Sequence, residues 1–185
     1  NFGGTTRYLA TGFSIGTKGY IGTGANAGTH YSDFWEYDPA LNTWTQKTNF
    51  PGAARWHAIG MSIGSKGYIG CGAMASSTFY TDFYEYDPGN NSWTQKTSYP
   101  GSGRYSPSYF SIGSKGYVGL GYDGTANYQD FWEYDPSGNA WTAKTSFPGS
   151  ARRNAFNLTI GSLGYVGSGY STADLNDFWS YDPIL

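Results

Sequence analysis

The chain has 185 residues and a net charge of −2, with 13% charged and 19% aromatic residues. That length holds one packed domain or a short repeat array, and the absence of any basic run excludes an electrostatic footprint for nucleic acid or an anionic membrane surface. The single cysteine, Cys71, excludes an internal disulfide and reads as a small buried hydrophobe.

Elements follow one another with the period of strands. In the stretch from Arg55, residues His57, Ile59, Met61 and Ile63 alternate with Ala58, Gly60 and Ser62, which predicts a strand over 55–63. A turn at Gly64-Ser65-Lys66-Gly67 leads to a returning strand over 68–72. A polar loop from Ala73 to Thr81 precedes a third strand over 82–86, and Asp87-Pro88 opens a turn into a fourth over 92–96. We call these strands a, b, c and d. Helix is predicted nowhere, and Pro107 in the third strand a requires that strand to be an edge.

The same succession recurs. Trp44, Trp93 and Trp141 fall 49 and 48 residues apart, each after a Tyr-Asp-Pro that begins at Tyr37, Tyr86 or Tyr134. A fourth Tyr-Asp-Pro begins at Tyr181. Arg7, Arg55, Arg104 and Arg152 keep the same spacing, as do the Asp-Phe pairs at Asp33, Asp82, Asp130 and Asp177. The chain therefore reads as a single domain, 1–185, of four units at about 2–49, 50–98, 99–146 and 147–185. Four-stranded antiparallel units with bulky residues on both faces predict an all-β propeller of four blades. The fourth blade stops where strand d would begin, which leaves it without an outer strand and its strand c as an open edge. Ser180 stands where the other units have Glu36, Glu85 and Glu133, and no lysine matches Lys47, Lys96 and Lys144, as expected if those residues pair across strands c and d.

The Gly-x-Gly of each strand b, the Tyr-Asp-Pro, the Trp-Thr and the Pro-Gly-x-x-Arg resemble the kelch-repeat family of β-propellers over the whole chain. The resemblance departs in two respects: kelch repeats usually carry adjacent glycines, and their propellers usually have six or seven blades. It implies a scaffold that binds partners on one loop face. Four blades leave open a small closed ring, an eight-bladed ring of two copies, a fibre joined edge to edge, or part of a larger propeller.

Residues with chemistry are sparse. His30 and His57 occupy different repeat positions, no cluster has metal-ligand spacing, and no nucleophile elbow or phosphate loop is present, so neither a metal, a cofactor nor an enzymatic activity is predicted. The symmetry of Asp33, Asp82, Asp130 and Asp177 argues against an acid/base pair, which needs two unlike environments. Two readings of the repeated arginines stand side by side. Each pins loops by pairing with a repeated aspartate, or the four ring a channel mouth and bind an acidic peptide or anionic sugar. The b–c loops vary most, and their aromatic residues Tyr31, Tyr80, Tyr122, Tyr128 and Tyr170, with Trp56, Tyr105 and Arg153 after the repeated arginines, are the candidate contacts for a protein or glycan. The expected function is non-catalytic recognition or scaffolding. A structural role in self-assembly through the open edge is the alternative, and a sugar-active enzyme a more distant one. The lack of a leader or long apolar run fits either a soluble intracellular chain or a mature secreted one, without membrane insertion, and the Gly-, Ser-, Thr-, Asn- and Tyr-rich composition with few charges points to a secreted or surface-exposed bacterial protein.

Overall fold

The computed structural model describes residues 1–75 and 77–183. It contains strands β1 (Thr11–Ile15), β2 (Lys18–Gly22), β3 (Ala25–Asn26), β4 (Thr29–His30), β5 (Phe34–Asp38), β6 (Thr43–Lys47), β7 (Ile59–Ile63), β8 (Lys66–Gly70), β9 (Ala73–Met74), β10 (Thr78–Phe79), β11 (Phe83–Asp87), β12 (Ser92–Lys96), β13 (Ser108–Ile112), β14 (Lys115–Gly119), β15 (Phe131–Asp135), β16 (Ala140–Lys144), β17 (Phe156–Ile160), β18 (Leu163–Gly167) and β19 (Phe178–Tyr181). Three four-stranded antiparallel sheets run β1-β2-β5-β6, β7-β8-β11-β12 and β13-β14-β15-β16, and a three-stranded one runs β17-β18-β19. These sheets are the blades of a β-propeller, and the fourth lacks an outer strand among the described residues.

Strand limits differ from the sequence reading for a local reason. Strand a begins at Ile59 rather than Arg55, because His57 has a φ of 53° and interrupts the extended chain. Strand b is Lys66–Gly70 rather than 68–72: the hairpin turn is the two residues Gly64 and Ser65, and Cys71 (φ 53°) ends the strand. The first turn residue needs a positive φ, which Gly64 supplies at 59°. Strand c shifts by one residue to Phe83–Asp87, and strand d falls on Ser92–Lys96 as expected. Pro107 lies just ahead of β13, so it removes no ladder bond. The b–c loops, expected to be irregular, carry short hairpins in the first two blades, β3–β4 and β9–β10.

The core consists of three layers between successive blades. Phe34 of blade 1 meets Tyr86 and Trp93 of blade 2 at ring distances of 4.8 and 5.0 Å. Phe83 meets Tyr134 and Trp141 of blade 3 at 4.8 and 5.1 Å. Phe131 stacks on Tyr181 of blade 4 at 5.2 Å. The inner strands approach so closely that a Cβ on Gly67 would lie 2.2 Å from the Phe13 ring of the preceding blade; Met61 bounds Gly116 and Phe110 bounds Gly164 in the same way. Polar bonds repeat too. Gly24, Gly72 and Gly121 donate their backbone N–H to the carbonyl of Arg55, Arg104 and Arg152 in the next blade, at 2.7, 2.8 and 2.8 Å.

The two end faces do not meet. Phe34, Phe83 and Phe131 are 0, 0 and 2% exposed, whereas Phe178, at the same position of blade 4, is 60% exposed, and Ile160 of the same blade is 62% exposed. At the other end, a Cβ on Gly19 would meet only Tyr37 of its own blade. Among the described residues the four blades therefore form an arc rather than a self-closed ring, and the small closed ring expected as one possibility is not formed.

Candidate functional site: the loop face and axial cleft

Each repeated arginine lies at the entry to a strand a, and the aspartate just ahead of strand c in the same blade faces it. Arg7 donates from Nη1 and Nη2 to the two oxygens of Asp33 at 2.6 and 2.7 Å, and Arg104 to those of Asp130 at 2.5 and 3.0 Å. Arg55 with Asp82 and Arg152 with Asp177 make the same paired bonds. Nη1 also donates to the carbonyl that follows strand b, at Thr23, Cys71, Leu120 or Ser168, and Nε to a carbonyl two residues back in the chain. Tyr31, Tyr80 and Tyr128 lie over the guanidinium groups of Arg7, Arg55 and Arg104 at 4.4, 4.1 and 4.1 Å.

Arg55, Arg104 and Arg152 are fully buried. The reading that the four arginines ring a channel mouth for an anionic ligand is therefore corrected: their donors are consumed within the blade, and a buried cation needs such partners. Tyr31, Tyr80 and Tyr128 belong to the same frame. The aspartates are equally engaged. Hydrogen bonds from Arg152 hold the Asp177 carboxyl down at about 2, despite the opposing effect of burial. Burial raises the Asp33 carboxyl, but hydrogen bonds from Arg7 and Trp35 outweigh it and leave the group below the usual range. The cross-strand pairs Lys47–Glu36, Lys96–Glu85 and Lys144–Glu133 form at 3.6, 3.4 and 3.3 Å. Trp44, Trp93 and Trp141 sit opposite Tyr37, Tyr86 and Tyr134 in the outer ladders and are half-buried. Burial pushes the Cys71 thiol up to about 12, so it packs as an inert hydrophobe.

The variable residues do converge. Tyr8, Trp56, Tyr105 and Arg153 each bridge to the start of their b–c loop, at Ala25, Ala73, Tyr122 and Tyr170. Trp56 lies 5.4 Å from Tyr105, Phe79 stacks on Tyr105 at 6.0 Å, and Tyr122 meets Tyr105 edge-on at 5.6 Å. Arg153 extends the row, 4.3 Å from the Tyr122 ring and 4.8 Å from that of Tyr170.

One position further along each repeat are the residues the sequence reading missed. Leu9, His57, Ser106 and Asn154 all have positive φ, at 56, 53, 50 and 56°. They line an open axial cleft of about 520 Å³ together with Pro107, Tyr109, Asn157 and the small residues Ala10, Ala58 and Ala155. Such backbone is strained for most residues other than glycine and asparagine. Four unlike side chains at one repeat position were the available signal. Burial lowers the His57 imidazole to about 4, so the group is neutral at pH 7. The Ser106 hydroxyl is buried and has no hydrogen-bond partner among the described residues. The cleft wall carries no carboxylate, and among the described residues no group of three His, Cys, Asp or Glu is placed to hold a metal ion.

The fold and this loop face define a β-propeller. No protein-family model and no curated protein matches the chain. Its fold is similar to the structure of YjhT, with a TM-score of 0.79 over 97% of this chain at 19% identity, a likeness of fold alone. The chain spans 66% of the length of that structure.

Proposed function

We propose that the protein is a non-catalytic, kelch-type recognition propeller that binds a glycan across its loop face. The observation that carries this reading is the row Phe79, Trp56, Tyr105 and Tyr122 at the rim of a cleft whose polar side chains are neutral: His57, Ser106, Asn154 and Asn157. Pyranose rings stack their C–H faces on aromatic planes while hydroxyl and amide groups exchange hydrogen bonds with ring hydroxyls. The repeated carboxylates are bound to arginine in the frame, which favours binding over acid/base turnover. A secreted or surface location suits such a ligand.

Retention on an immobilised glycan array, followed by calorimetric titration of the retained oligosaccharide, tests this. Trp56→Ala and Tyr105→Ala should each weaken binding about tenfold or more with the fold intact. Absence of any retained glycan, or chemical turnover of one, sinks the reading. A second reading, association of copies through their end faces, is favoured by the exposure of Phe178 and Ile160. A mass that rises with concentration separates it from the first.

A further inference from the structure

Of the 11 lysines and arginines, every one but Arg153 has a carboxylate within salt-bridge distance among the described residues. Arg153 is also the charged member of its repeat position, where the other blades have Tyr8, Trp56 and Tyr105. Its neighbour Arg152 shows the usual fate of a guanidinium in this fold, buried with both Nη atoms on Asp177. Arg153 is instead half-buried on the loop face, next to Asn154 of the cleft wall. Its pose is fixed across the seam between blades 3 and 4. The backbone exchanges two hydrogen bonds with Tyr170, at 3.0 and 2.9 Å, and Nη1 donates to Asn127 Oδ1 at 3.3 Å. The rings of Tyr122 and Tyr170 that lie against the guanidinium are tethered in turn, their hydroxyls donating to the carbonyls of Gly124 and Thr172 at 2.8 and 3.3 Å. A guanidinium donates through all of its N–H groups. Asn127 takes one, and the rest find no protein acceptor among the described residues.

We propose, resting on the glycan reading of this face, that Arg153 is its anion subsite and that the bound glycan carries a carboxylate there, as a uronic acid does. Rings packed against a guanidinium displace water from it, and a cation so placed interacts more strongly with an anionic partner than one in bulk solvent. The planar fork of N–H groups matches the two oxygens of a carboxylate, which accept in parallel. Asp123, next to Tyr122, does not compensate the charge, because its oxygens already accept from Thr125, Ala126 and the Tyr128 hydroxyl at 2.6 to 2.8 Å. From the acid at Arg153, neutral sugar rings run back along Tyr122, Tyr105 and Trp56, beside the uncharged groups of the cleft. The repeated arginines provide the frame, and the arginine that breaks the repeat provides the charge for a ligand.

The test applies the full chain to an array of galacturonate, glucuronate and mannuronate oligosaccharides, each spotted beside its methyl ester, with neutral and sulfated oligosaccharides on the same slide. At least one free acid should be retained about tenfold or more above its ester, which keeps the sugar and removes the charge. Arg153→Gln should abolish that preference, and Arg153→Lys, which keeps the charge without the fork, should leave it reduced. Tyr8, Trp56 and Tyr105 at the equivalent positions show that the fold does not need a cation there, so both variants should melt as the parent chain does. Equal retention of acid and ester, retention of neutral or sulfated sugars alone, or a preference that survives Arg153→Gln overturns the assignment of Arg153 and leaves glycan recognition standing. No retention of any sugar overturns both.

Discussion

Blades 2 and 3 lie between neighbours, and blade 4 has a neighbour on one side only. The same residue types give opposite environments: Phe83 is wholly buried, while Phe178 is 60% exposed. A blade of this propeller is thus half of an interface on each face, and its stability depends on its neighbours as well as on its own ladders. The buried Arg–Asp pairs are the exception, since each closes within one blade, Arg152–Asp177 of blade 4 included.

The sharpest way to break the comparison is to remove a frame arginine. Arg104→Ala strands Asp130 and several carbonyls and should cost about 3–5 kcal/mol in urea unfolding. Arg7→Ala should cost a comparable amount, because the Arg7 side chain is buried and makes the same bonds to Asp33 and to the Thr23 carbonyl. Phe83→Ala should cost about 3–4 kcal/mol and Phe178→Ala less than about 1, a difference that vanishes if blade 4 is covered in solution. Half-burial lowers the expected cost of Trp93→Ala to about 2–3 kcal/mol. Trp93→Phe isolates the indole bond to Thr48, about 1 kcal/mol, and Trp44→Phe, where no such bond forms, should be smaller.

A further effect is in pH dependence. The His57 imidazole is held at about 4 against an ordinary 6.5, so between those values the unfolded chain takes up a proton that the folded chain does not. Stability is then fully present above pH 6.5 and declines as pH falls towards 4. His57→Asn, a residue that tolerates positive φ and already stands at position 154, should flatten that window in urea titrations at pH 4.5 and 7.

The frame was legible in the sequence because it repeats: Tyr-Asp-Pro, Trp-Thr and the Glu–Lys positions returned as strand c, strand d and their cross-strand pairs. The same symmetry did not distinguish buried from exposed arginine, because a guanidinium inside a blade and one at a channel mouth have the same spacing. Residues 9, 57, 106 and 154 were hidden for a different reason. Alternation of Ile59, Met61 and Ile63 extends naturally back to His57, and nothing in those side chains signals a positive φ. Variation between units singled out Trp56, Tyr105, Arg153 and the b–c loops, but neither their convergence in space nor the cleft beside them was readable from it.

Native-state hydrogen exchange at three glycine amides tests the account most directly. Gly72 and Gly121 donate to the Arg104 and Arg152 carbonyls of the next blade, while Gly169 has no such acceptor among the described residues. The account predicts exchange at Gly72 and Gly121 governed by global unfolding, and exchange at Gly169 faster by orders of magnitude. Equal protection at Gly169 would mean that another blade covers blade 4 in solution, and would contradict the open arc.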